Sequence, residues 1–69
     1  MLMIDSGLKK IIKITKCSNK EKGTLEEWYK DMIGREFEIY YIGYFYYCVK
    51  YINDKGNEAM NFINMKDVL

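Results

Sequence analysis

Two cysteines, ten acidic side chains and seven tyrosines are the groups with chemistry to offer in this 69-residue chain, which lacks histidine. Nucleophilic attack by Cys17 or Cys48 needs a neighbouring base, and the usual neutral-pH base is missing. The carboxylates form two close pairs, Glu26-Glu27 and Glu36/Glu38. The first reads as the start of a helical turn, where the backbone dipole favours negative charge. The second reads as the solvent face of a strand. No glycine-rich phosphate loop is present, and two cysteines without histidine make a poor zinc set. These residues point to a binding protein that is not an enzyme and uses no cofactor or metal.

Aromatic area is what the chain holds in abundance. From Tyr40 to Tyr51 the sequence runs Tyr-Tyr-Ile-Gly-Tyr-Phe-Tyr-Tyr-Cys-Val-Lys-Tyr. A strand buried on one face shows apolar side chains at every second position. With Phe37, Ile39, Tyr41, Phe45, Tyr47, Val49 and Tyr51 pointing inward, Tyr40, Ile42, Tyr44 and Tyr46 point outward. That is more aromatic surface than a small monomer normally exposes. Three uses fit it. Trp28 and the loop around it can fold over the outer rings as a second small core. A homo-oligomer or protein partner can bury them, since Tyr and Trp dominate interface hot spots. The bases of a single-stranded nucleic acid or a small nucleotide can stack on them, with Lys50, Arg35 and the N-terminal lysines holding phosphate. The candidate binding residues are Trp28, Tyr29, Tyr40, Tyr44 and Tyr46, with Lys50 and Arg35.

The elements that position them follow from periodicity. Met1 to Gly7 reads as a loose leader, and residues 8–69 as a single domain. Leu8, Ile12 and Ile14 share one face of a first strand rich in β-branched residues. A polar stretch to Gly23 is a loop. Thr24, with Glu27 three residues on, has the spacing of a capping box and opens one or two helical turns that Gly34 stops. Arg35–Ile42 and Tyr44–Tyr51 are two strands around a tight turn at Gly43. Asn53–Asn57 is a second turn with Gly56 left-handed, and Glu58–Ile63 is a last strand. Sequential strands without crossover helices make an antiparallel sheet curled into a small barrel of roughly four or five strands.

Composition narrows the partners. A chain this short buries only roughly 60% of its unfolded surface, so large rings must carry much of the core. The net charge is +1, with six Lys against one Glu between Lys9 and Lys22 and an acidic excess from Gly23 onward. Long nucleic acid is disfavoured, because phosphate neutralisation carries most of its affinity. The longest apolar run, Ile39–Val49, is too short for the roughly 20 residues that span a bilayer, and no secretory leader is evident. A cytoplasmic protein with free thiols is expected.

The excursion ends in Trp28-Tyr29, Ile33-Gly34 and Phe37-Glu38-Ile39, a pattern that resembles small SH3-like barrel proteins of bacteriophages and mobile elements of Gram-positive bacteria. The tail Ile63-Asn64-Met65-Lys66-Asp67-Val68 is similar to the SH3 signature Ile-Pro-x-x-x-Val, in which a 3₁₀ turn precedes the last strand. The resemblance implies an SH3-like barrel with one short helical turn near residues 24–32. It further implies a protein-binding role, such as inhibition of a host defence or regulatory protein. Peptide-binding SH3 domains differ: their Ala-Leu-Tyr-Asp-Tyr motif is replaced by Ile11-Ile12-Lys13-Ile14-Thr15, the signature Pro by Asn64, and a groove Tyr by Asp67. Those aromatic walls hold a polyproline helix, so that ligand is not expected. A very short fifth strand after the 3₁₀ turn leaves an open edge and predicts a homo-oligomer.

Overall fold

The computed structural model describes the backbone of residues 2–3 and the whole of residues 10–68. Five strands form one antiparallel sheet: β1 Leu2–Met3, β2 Ile11–Lys13, β3 Glu36–Ile42, β4 Tyr46–Ile52 and β5 Glu58–Asn64. β3, β4 and β5 follow one another as a meander. β1 and β2 share the other edge of β3: β2 pairs with Glu36–Glu38, and β1 with Tyr41–Ile42. Part of the expected leader is therefore strand, while residues 4–7, and Leu8 in the first strand, lie outside the described residues. One 3₁₀ turn, η1 Glu27–Tyr29, sits in the excursion between β2 and β3, and another, η2 Met65–Asp67, follows β5.

Alternation explains the core. Ile12, Ile14, Phe37, Ile39, Val49 and Ile63 all point to one face, and Tyr29 from η1 joins them with no exposed surface. Trp28, Met32, Tyr47 and Tyr51 pack around this cluster. After β2 the chain runs past the end of the sheet, where Ile14 forms an isolated antiparallel bridge with Val68.

Three local readings change. Thr24 does not cap the helical turn: its hydroxyl donates to the Glu21 carbonyl at 2.7 Å, and η1 starts three residues later. Glu27 instead reaches back to accept the Gly23 N–H at 3.1 Å. The β3–β4 turn lies at Tyr44-Phe45 rather than on Gly43, so Phe45 is 74% exposed and not inward. Gly43 is needed for close approach, since a Cβ there would meet the Tyr46 carbonyl oxygen at 3.1 Å. Finally, β3 carries a bulge: Ile39 pairs with Val49 but Tyr41 with Cys48, leaving Tyr40 as the extra residue. The bulge reverses the alternation, so Ile42 packs on the core and Tyr41 turns to the opposite face. The Asn53–Asn57 turn forms as expected, with Gly56 at φ +80° and the Asn53 side chain accepting from Lys55 and Asn57.

A buried polar group closes the core at its loop end. Asp67 has no exposed surface, and its Oδ2 accepts from the Tyr29 hydroxyl at 2.5 Å and from the Ser18 hydroxyl and N–H. The Tyr29 oxygen in turn accepts the Asn64 N–H at 3.2 Å. Burial, then the bond to Asp67 and the charges of Asp67 and Glu26, push the Tyr29 phenol far above its ordinary value; the Asn64 bond offsets part of that. A raised pKa means the folded state holds this proton more tightly than the unfolded chain does. Its stabilisation is complete below about pH 10 and is lost as pH climbs toward the folded value, with a slope of up to about 1.4 kcal/mol per pH unit. Urea unfolding between about pH 8 and pH 11 should show this loss. Tyr29→Phe should flatten the curve in part, because Tyr41, Tyr46 and Cys48, all raised as well, keep their own contributions.

Candidate functional site

The excursion between β2 and β3 covers the core face of the sheet and, among the described residues, leaves the other face bare. Trp28 stacks on Tyr51 at 5.2 Å between ring centroids and meets Tyr29 and Phe37 edge-on. Its indole N–H donates to the Phe62 carbonyl at 2.8 Å. The expected second small core over the outer tyrosines is therefore not built with Trp28. Its ring is committed to the core side.

The bare outer face follows the strand register. One cross-strand row is Tyr41, Cys48 and Phe62; the next is Ile11, Glu38, Lys50 and Met60. Rings chain across it, with centroids 5.8 Å apart for Tyr40–Tyr41, 6.4 Å for Tyr41–Phe62 and 6.5 Å for Tyr46–Phe62. Cys48 is buried beneath this ladder, and burial raises its thiol, which suits a packing role better than a reactive one. Met60 is 56% exposed and Ile11 51%. Lys50 lies 5.3 Å from the Tyr40 ring centroid and pairs with Glu58 at 3.5 Å.

The tip of the β3–β4 hairpin is the second feature. Tyr44 is 90% exposed and Phe45 beside it is also out in solvent. Both have ordinary negative φ values. The tip is held on both sides, by the Gly43 N–H on the Tyr46 carbonyl and the Met65 N–H on the Phe45 carbonyl, each 2.9 Å. Between tip and η2 lies an open cleft of about 400 Å³ lined by Tyr44, Phe45, Tyr46, Asn64, Met65 and Lys66. Behind it, buried Glu26 accepts from the Tyr46 hydroxyl at 3.1 Å and the Asn64 amide at 3.4 Å. That bond, followed by burial, raises the Tyr46 phenol.

The seven candidate residues thus separate. Tyr40, Tyr46 and Lys50 belong to the outer face and Tyr44 to the tip. Trp28 and Arg35 lie on the core side, where the Arg35 guanidinium stands 5.3 Å from the Phe37 ring and both line a smaller cleft of about 200 Å³. Tyr29 is a core residue with no surface to offer. Sequence reasoning missed Tyr41, Phe45, Met60 and Phe62. Met60 and Phe62 had left a trace: they alternate in phase with each other and out of phase with Ile63, the pattern of a strand that is apolar on both faces.

Both cysteines are free. Among the described residues no three metal-ligating side chains come together, and no helix is long and apolar enough to cross a membrane. Comparison of the chain with protein-family models, curated proteins and solved structures finds no match.

The Trp28 indole and the Tyr29 hydroxyl both reach the far edge of β5 from the excursion. Trp28→Phe keeps the stacking but removes the donor to Phe62. It should destabilise the fold by about 1 kcal/mol and speed amide exchange selectively in β5, readable by urea unfolding and hydrogen-exchange NMR.

Proposed function

We propose that this chain is a binding module without catalytic activity that acts by protein–protein contact through the β3–β4 hairpin tip. One observation carries the reading: two adjacent aromatic side chains stand in solvent at turn positions whose backbone asks for no such residue. A turn with negative φ accepts Asp, Asn or Ser, which water solvates well. Local rules are broken most often where function requires it. Backbone bonds on both sides hold the tip in place, so little freedom is lost on binding. Aromatic anchors beside a cleft are the usual hot-spot arrangement of an interface.

The charges favour protein over single-stranded nucleic acid. On the outer face the ring ladder is flanked by Glu38 and Glu58, and the nearby cation, Lys50, is already paired. Backbone phosphates would meet carboxylates there. The cleft itself favours a second reading, a small nucleotide between Tyr44 and Phe45 with Lys66 on its phosphate, because no carboxylate lines it. The bridge between Ile14 and Val68 supports reading the sheet as an SH3-like barrel that closes at that point.

The double variant Tyr44→Asn, Phe45→Gly tests the main reading. It should keep or raise the melting temperature and abolish capture of the protein that the parent chain retains from host lysate. A variant that still retains that protein sinks the tip as the contact. A melting-temperature rise with millimolar mono- or cyclic dinucleotides, lost in the same variant, would replace the protein reading with the nucleotide one.

A further inference from the structure

We propose that the chain pairs with a second copy of itself, face to face, through the bare outer face of the sheet and not edge to edge. This contact lies apart from the hairpin tip and does not rest on the function proposed for it.

The edge is the natural place to look first, and the structure caps much of the β5 side of it. On the far side of β5, the Phe62 carbonyl takes the Trp28 indole N–H, the Phe62 N–H goes to the Asn61 side chain at 2.9 Å, and the Asn64 N–H goes to Tyr29. Side chains occupy the groups that a neighbouring strand would need. Only the Glu58–Met60 start lacks such a cap, which is too short for a ladder. At the opposite edge, the residue after β2 is already bridged to Val68.

The face, in contrast, is complementary to itself. Take a two-fold axis lying along the strands, midway between β3 and β4 and in the plane of contact. Rotation about it lays β3 of one copy over β4 of the other and preserves position along the strand. Glu38 and Lys50 are cross-strand partners, so each Glu38 meets the other copy's Lys50 and shares it with the exposed Glu58 that Lys50 already pairs with. Tyr41 and Cys48 are also cross-strand partners, and Cys48 lies beneath its own rings, so each Tyr41 ring meets the other copy's ring ladder above Cys48. One operation pairs both charges and lays ring on ring, which is what an isologous contact requires. The strands stay nearly aligned, as in sheets that pack about 10 Å apart. Met60 and Phe62 flank this centre and are half or more than a third exposed in the single chain.

The footprint sets the strength. Three strands of seven residues, with the five residues of β1 and β2 along the far edge of β3, cover on the order of 400 Å² before side-chain relief. A standard interface uses roughly 800 Å² per partner, so the pairing should be weak, with Kd roughly 10–100 µM.

Sedimentation velocity from low micromolar to about 500 µM tests this on the intact chain. The parent chain should dimerise across that range. Glu38→Lys, Lys50→Glu and Met60→Lys should each weaken dimerisation about tenfold or more, while circular dichroism shows that each variant stays folded. The two charge reversals mixed in equal amounts should regain the parent's affinity. In the mixed pair the introduced lysine of one chain faces the introduced glutamate of the other, and the native Lys50 of the first faces the native Glu38 of the second. A chain that stays monomeric throughout overturns the proposal. So does a dimer that ignores these substitutions, or a mixture that fails to recover. A monomer that still captures its partner through Tyr44 and Phe45 removes the pairing and leaves the binding function standing.

Discussion

The placement of the long excursion depends on one buried carboxylate. Asp67 Oδ2 gathers donors from Tyr29 and Ser18, and its backbone carbonyl takes the Thr15 N–H at 2.7 Å and the Thr15 hydroxyl at 3.1 Å. A fully buried charge is tolerated only when hydrogen bonds replace the water it lost. Here the replacements come from the stretch after β2 and from η1, while the acceptor rides on η2 after β5. Satisfying that group therefore locks three distant parts of the chain to one another. Its second oxygen, Oδ1, is buried with no hydrogen-bond partner among the described residues.

The same lock decides which face of the sheet is covered. Tyr29 can reach Asp67 only from the core side, so its neighbour Trp28 lands on Phe37 and Tyr51. The excursion is spent on one face. Among the described residues no other segment lies over the opposite face, and its rings cover one another instead. Bareness on that face is thus a result of how the core is closed.

What could be read from the sequence follows from the range of the interactions. Period-two runs located β3, β4 and β5 within one or two residues, and Asn53 with Gly56 marked its turn because side chain and backbone there act within five positions. A 3₁₀ turn also follows β5, as the likeness of Ile63 to Val68 to the SH3 signature implied, with Asn64 as its cap. The bulge at Tyr40 was not legible. Tyr, Tyr and Ile are equally at home on either face of a strand, so the choice falls to pairing with β4 rather than to local pattern. That single extra residue moved Tyr41 into the outer ladder and Ile42 into the core. The destination of Trp28 was illegible for a similar reason: it is set by Asp67, 39 positions further along the chain.

The side chains along the far edge of β5 have a further consequence for how this chain behaves when concentrated. The sequence contains no proline, the residue that most simply stops one sheet from growing onto another. Termination is left to Trp28 and Tyr29, which belong to the excursion and leave when it opens. The event that frees the indole also bares a seven-residue strand rich in apolar side chains. Growth of one sheet onto another at this edge would therefore wait until Tyr29 and Trp28 have left the core side, so the groups that close the core also guard the edge.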